Sequence, residues 1–154
     1  MKVFLDTNIF LEYFERRDEY QSVNQLLNAI EDGKIKAVVS VGCVYTLAYI
    51  IRIELKRQGI YHPEQTLQLR STLNTVLSLV TVVGTSHQKL SIGINDTAFD
   101  DVEDSFQYQC AQQNKCDAFI TINLRDFKNV DVSQMEIISP SEFVEKYLAE
   151  SRNA

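Results

Sequence analysis

Apolar positions along the chain follow two periods. Short runs rich in β-branched and aromatic residues occur at Lys2–Leu5, Lys36–Val41, Thr81–Val83, Asp117–Thr121 and Glu136–Ser139, and each runs out into polar or turn-forming residues. They predict five strands. Between them the spacing changes to three and four. Ile9 to about Arg17 reads as a helix, and a second helix carrying Val23, Leu26, Leu27 and Ile30 stops at Gly33. A long helix runs from Ser40 or Gly42 to about Gln58 with Leu47, Ile50, Ile51 and Leu55 on its apolar side. His62-Pro63-Glu64 opens another, continued by Leu67, Leu73, Val76, Leu77 and Val80. Ser86–Gly93 is a weaker helix, Asn95–Asp100 a polar loop, and Asp101–Lys115 a helix with Phe106, Cys110 and Ala111 facing inward. Asn123–Val130 reads as an irregular connection, and Pro140-Ser141-Glu142 opens a terminal helix.

Strands alternating with helices imply a parallel sheet covered on both faces, because parallel neighbours need crossovers and the crossovers are helical. The expected class is therefore α/β, a three-layer α/β/α sandwich. In such sheets functional groups gather beyond the carboxyl ends of the strands. That rule selects Asp6, Ser40, Thr121 and Asn123.

Composition narrows the chemistry. The 154 residues carry 15 Lys+Arg against 21 Asp+Glu, a net charge of -6, with 45% hydrophobic residues. This suits one globular domain over residues 1–154, not a disordered or fibrous chain. The longest apolar runs, such as Val76–Val83, fall far short of the ~20 residues of a membrane span. The opening Met1–Asp6 reaches an acid too soon for a signal peptide, so a cytoplasmic location is expected. Cys43, Cys110 and Cys116 are an odd number in apolar surroundings and read as core-filling thiols in a reducing compartment. No His or further Cys completes a zinc set around them. With His62 and His87 alone, and glycines scattered singly, neither a nucleophilic triad nor a phosphate loop has support. The remaining chemistry lies with carboxylates.

Asp6 stands at a strand end, Asp101, Glu103 and Asp104 in the first turn of a helix, and Asp126 after the strand ending at Thr121. Asp101 and Asp104 share a face, while the same spacing turns Glu103 elsewhere, toward solvent. Carboxylates gathered in one pocket repel unless a hard cation neutralises them, and Mg²⁺ or Mn²⁺ suits oxygen ligands. Such an ion acidifies water and stabilises charge on a phosphodiester under attack, the chemistry of a nuclease. Each acid also has a plain structural role open to it: Asp6 as a helix cap, Asp101 or Asp104 against a helix dipole, Asp126 in a turn.

Val3-Phe4-Leu5-Asp6-Thr7-Asn8-Ile9-Phe10 resembles the opening of PIN-domain nucleases, whose first strand ends in a catalytic Asp followed by Thr/Ser and Asn. Asp101-Val102-Glu103-Asp104, Ala111, Cys116 to Asn123, and Asp126-Phe127 resemble the family's acid-led helix, its strand ending in Thr-x-Asp or Thr-x-Asn, and an Asp-Phe pair. Ile137 to Phe143 resembles the closing strand and Pro-x-Glu-Phe helix start of bacterial members. Order, spacing and length agree over nearly the whole chain, and by size the nearest branch is the VapC-type toxin ribonucleases of toxin–antitoxin pairs.

The resemblance implies a metal-dependent endoribonuclease using Mg or Mn, an RNA substrate, a cognate antitoxin and a homodimer. Carried over by position, Asp6 matches the first metal-binding acid, Asp104 the acid leading the late helix, and Asp101 an auxiliary carboxylate. Thr121 resembles the hydroxyl beside the metal. Asn123 stands where many members have a fourth acid, and Asp126 can supply that missing charge. One departure concerns the helix after Ser40, where the family commonly has a Glu and this chain has Thr46. The next acid, Glu54, lies about 12 Å further along the axis.

Arg52, Lys56 and Arg57 on one helix, and Arg16, Arg17, Lys34 and Lys36 around the first helical hairpin, are candidates for phosphate contact despite the negative total. Tyr13, Tyr45, Tyr49 and Tyr61 are candidates for stacking on bases. Two rival readings stand beside the nuclease. One is a PIN-like binding module without catalysis, suggested by Thr46 and Asn123. The other is a phosphatase of another α/β family, which needs a second Asp where this chain has Asn8.

Overall fold

The computed structural model describes residues 1–149. The chain runs β1 (Lys2–Leu5), α1 (Thr7–Phe14), α2 (Tyr20–Glu31), β2 (Lys36–Ser40), α3 (Val41–Arg57), α4 (Glu64–Leu79), β3 (Thr81–Val83), α5 (His87–Asn95), α6 (Val102–Gln113), β4 (Ala118–Ile120), a 3-10 turn (Leu124–Phe127), β5 (Glu136–Ile138) and α7 (Pro140–Phe143), which continues as a π-helical turn over Val144–Leu148. All five predicted strands form, and they join in one parallel sheet of order β3-β2-β1-β4-β5.

Apolar strands without polar alternation are explained by burial on both faces. Val3 and Leu5 point into one core with Ile9, Phe10, Val23, Leu26, Cys43, Leu47 and Phe143. Phe4 points into the other with Val38, Tyr108, Cys110, Phe119, Phe127 and Met135. Its ring stacks on Phe119 of the neighbouring strand, centroids 5.2 Å apart. The three cysteines are free and buried in these cores, as expected from their apolar surroundings. The α/β sandwich expected from the sequence is the fold.

Several helix limits differ from the sequence pattern, each for a local reason. The first helix starts at Thr7 because the Asp6 side chain accepts the Thr7 N–H and caps it, and it stops at Phe14 before the left-handed Arg16 (φ 48°). The late helix starts at Val102, with Asp101 as its cap, and ends at Gln113 before the left-handed Lys115 (φ 55°). Its buried face is more polar than its periodicity implied: Ser105, Gln107 and Gln109 lie inside with Tyr108, Cys110 and Ala111, whereas Phe106 is half-buried. Gly93 lets this helix lie close to α5. A Cβ there would meet the Phe106 ring at 3.2 Å and the Ser105 hydroxyl at 3.3 Å.

The strand order places the site. The chain lays down β1, adds β2 and β3 on one side, then crosses to add β4 and β5 on the other. Connections therefore leave β1 and β4 in opposite directions, opening a crevice beyond their carboxyl ends. Asp6 follows β1 and Thr121 follows β4, so topology sets the two side by side.

Candidate active site

Asp6 is 4% exposed at the mouth of this crevice. Its Oδ1 accepts the Thr7 N–H at 2.7 Å, and its Oδ2 accepts the Thr121 hydroxyl at 2.9 Å. Asn8 links the two loops. Its amide nitrogen lies 3.4 Å from Asp6 Oδ2 and 3.2 Å from Thr121 Oγ1, and its oxygen accepts the Ile122 N–H at 3.3 Å. The Asn123 N–H donates to Thr121 Oγ1 at 3.2 Å. Asp-Thr-Asn after one strand and Thr-x-Asn after its neighbour thus form one hydrogen-bonded unit that fixes the carboxylate. Burial pushes the Asp6 carboxyl up to about 6, against the lowering effect of the Thr121 and Thr7 hydrogen bonds, and Glu103 and Asp101 add repulsion.

A second link joins this unit to the late helix. The buried Gln107 amide oxygen accepts the Ser40 hydroxyl at 2.5 Å, and its nitrogen donates to Thr7 Oγ1 at 2.9 Å. Ser40 Oγ also accepts the Cys43 N–H at 3.0 Å and caps α3. The ends of β1 and β2 and the start of α3 are thereby tied to α6. Sequence reasoning selected Ser40 but missed Gln107. The available signal was a glutamine between Phe106 and Tyr108 on an inward-facing stretch, since a buried amide demands partners for both of its ends.

That link sets the first turn of α6 over the crevice. Asp101 Oδ1 accepts the Glu103 N–H at 2.8 Å, leaving Glu103 and Asp104 in the opening turn. The Asp104 carboxyl is pushed up to about 7, first by burial and then by the charges of Asp6, Asp101, Asp126 and Glu103. The acids singled out in the sequence therefore share one electrostatic field although they come from three separate stretches of chain. Ion pairs among the described residues join Arg17 to Glu15, Arg57 to Glu54 and Lys146 to Glu136, all outside this cluster.

Glu103 is exposed, as its spacing implied, but makes a contact that the spacing did not announce. Its Oε1 accepts the Thr46 hydroxyl of α3 at 3.3 Å, and its charge, like that of Asp101, adds repulsion at Asp6. Thr46 and Glu103 also border a cleft of about 350 Å³ whose walls include Leu90 and Phe106. Spacing within one helix carries no information about Thr46, 57 positions away.

The donor set is all oxygen and net negative, which fits a hard divalent cation. Among the described residues, however, no three His, Cys, Asp or Glu side chains already stand in metal-holding geometry. Asp6 is fixed by its hydrogen bonds, whereas Asp104 and Asp126 are partly exposed and Asp101 and Glu103 exposed.

Farther out, Tyr45 and Tyr49 of α3 are 74% and 64% exposed. Arg52 and Lys56 are exposed on the same helix, while Arg57 pairs with Glu54. Tyr13 is less free than the sequence suggested, since its ring stacks on Tyr20 at 5.2 Å. No described helix is long and apolar enough to cross a membrane.

The family model of the PIN domain matches residues 2–125, a span that holds Asp6, Asp101, Glu103, Asp104, Thr121 and Asn123 and stops just short of Asp126. Ribonuclease VapC1 of Aquifex aeolicus is 22% identical over 151 residues, covering 95% of each chain. Among solved structures, VapBC2 from Rickettsia felis bound to a DNA fragment from its promoter aligns at a TM-score of 0.64 with 16% identity, covering 90% of this chain and 98% of that one. VapBC-1 from nontypeable Haemophilus influenzae aligns at 0.61 with 15% identity, covering 92% and 99%. At these identities the structural likeness speaks for the fold, and the family match over most of the length carries the assignment: the chain belongs to the PIN-domain family.

Proposed function

We propose that the chain is a Mg- or Mn-dependent endoribonuclease, the toxin of a toxin–antitoxin pair, working in the cytoplasm as a single-domain protomer of a homodimer. The observation that carries this reading is the convergence of carboxylates from β1, α6 and the turn after β4, with Asp6 and Asp104 both held above the ordinary carboxylate range by burial and by their neighbours. Such an arrangement destabilises the fold unless something cationic occupies it. The kinship to a protein named Ribonuclease VapC1 supports RNA as the substrate, and the likeness to VapBC complexes supports an antitoxin as the partner.

In this reading Asp6, Asp104 and Asp126 hold the ion, and Asp101 adds charge at the rim. The ion, once bound, supplies an acidified water and charge stabilisation for hydrolysis of a phosphodiester. The protein's own part is positional. Thr121 and the Thr7 N–H orient the Asp6 carboxylate, so its direction is set before substrate arrives. Asn123, next to Thr121 in the hydrogen-bonded unit, offers a neutral amide oxygen. Arg52 and Lys56 can meet phosphates and Tyr45 and Tyr49 unpaired bases along α3, which reconciles an RNA substrate with a net charge of -6.

The test is incubation of the purified chain with a mixed RNA pool in Mg²⁺ or Mn²⁺, in EDTA, and after ion is restored. Cleavage that stops in EDTA and returns with the ion is expected. RNA that is bound but left intact in every condition would favour the binding module suggested by the neutral Thr46 and Asn123.

A further inference from the structure

We propose that Glu103 of α6 is a ligand of the divalent cation in this site, with Thr46 of α3 as the residue that positions its carboxylate. The inference rests on the metal-site reading above and adds to it a residue that neither the face of the helix nor the resemblance to the family selected.

Three observations carry it. First, Thr46 Oγ1 lies 3.3 Å from Glu103 Oε1, a contact that bridges 57 positions in sequence and draws the carboxylate toward α3. Second, Glu103 and Thr46 border a cleft of about 350 Å³ together with Ser40 and Gln107, the two side chains that tie α6 to the ends of β1 and β2. Third, Asp101 Oδ1 accepts the Glu103 N–H at 2.8 Å, which seats Glu103 in the opening turn of α6 directly beside Asp104. An exposed glutamate whose only role was to cover the surface would gain more by turning away from a cluster of like charge, because repulsion falls with distance and with solvent screening. Its long side chain can instead extend toward a shared ion. Helix α3 presents a hydroxyl at Thr46, so the carboxylate on that side of the crevice comes from α6, and the hydroxyl holds it.

The proposal makes Thr46 and Glu103 interdependent, which a set of calorimetric Mn²⁺ titrations on the full chain at pH 7.5 can read. Melting curves check that each variant is folded. Glu103→Gln should weaken Mn²⁺ binding at least about tenfold. Thr46→Val should weaken it about threefold, and Thr46→Ser, which keeps the hydroxyl, should bind as the wild type does. Thr46→Glu should bring no gain in the wild-type background, where the carboxylate place is filled, but should recover most of the loss in the Glu103→Gln background. Asp104→Asn serves as the reference for the site as a whole. If Asp104→Asn abolishes binding while Glu103→Gln stays within about twofold of wild type, the role of Glu103 is overturned and the metal site stands. Equal gains from Thr46→Glu in both backgrounds would likewise overturn it. Absence of Mn²⁺ binding by the wild-type chain would overturn this proposal together with the metal reading on which it rests.

Discussion

The two sides of the crevice are built differently. On the strand side, Asp6 is buried and its two oxygens accept three hydrogen bonds, from Thr7, Thr121 and Asn8. On the helix side, Asp101 and Glu103 are exposed, Asp104 is partly so, and the contact from Thr46 to Glu103 is a single long one. A fixed carboxylate gives direction at the cost of desolvation, while side chains at an open helix end keep freedom to rotate. The contrast teaches how the two sides divide the work: the fold aims one carboxylate through hydrogen bonds, while the acids of α6 meet solvent and, on the proposed reading, would turn inward when a cation offsets their repulsion.

The strongest test of this contrast removes an acid from the helix side. Asp104→Asn should lower ribonuclease activity at least ~100-fold without loss of fold, since it takes charge from the clamp that steadies the transition state. A purified variant that cuts RNA within threefold of wild type would place the working acids elsewhere. Next in size is the tie between the two sides. Gln107→Leu strands the Ser40 and Thr7 hydroxyls and should cost about 1–3 kcal/mol in chemical denaturation, with activity falling as α6 loses its seat. An unchanged denaturation midpoint would mean that α6 is held by packing alone.

The cation comes next. At roughly ten times its dissociation constant, Mn²⁺ should stabilise the chain by about 1.4 kcal/mol, a melting shift of about 3–6 °C. Asp104→Asn should shrink the shift, and an equal response in both proteins would indicate an effect unrelated to this site.

The smallest effect is on pH dependence without metal. Asp6 and Asp104 bind their protons more tightly in the folded chain, at about 6 and about 7, than at the unfolded value of 3.8. Between pH 4 and 7 the native state therefore holds the extra protons, and stability falls as pH rises through that window. Discounted for the partial exposure of Asp104, the effect is on the order of 1 kcal/mol, or a melting temperature about 2–4 °C higher at pH 5 than at pH 7.5 in EDTA. Asp104→Asn should flatten the slope, and a wild-type profile that rises with pH over this range would contradict the assignment.

The strand side was legible in the sequence because chain direction did most of the work. A buried apolar run that ends in Asp-Thr-Asn, and another in Thr-x-Asn, places those polar groups at strand ends whatever the order of strands. The order itself, with β4 beside β1, depends on pairing between residues more than 100 positions apart and left no local signal. The helix side was harder to read. The spacing reading began the helix at Asp101, whereas Asp101 caps it, and it turned Glu103 to solvent, where it lies, without announcing its contact with Thr46 of α3. Gln107 was invisible for a related reason. A buried amide is recognised by its partners, and Ser40 and Thr7 lie 67 and 100 positions away.

The central claim, that Asp6 aims a cation-dependent ribonuclease site, is tested most directly by RNA cleavage at increasing Mn²⁺ with wild type and Asp6→Asn side by side, both shown to be folded. Asp6→Asn removes the charge and keeps one acceptor oxygen, enough for the Thr7 N–H, where the carboxylate has a separate oxygen for Thr121. The predicted result is cleavage that rises with Mn²⁺ in the wild type and stays at least ~100-fold lower in the variant at every concentration. Cleavage by Asp6→Asn at the wild-type rate, or wild-type cleavage indifferent to EDTA, would contradict it.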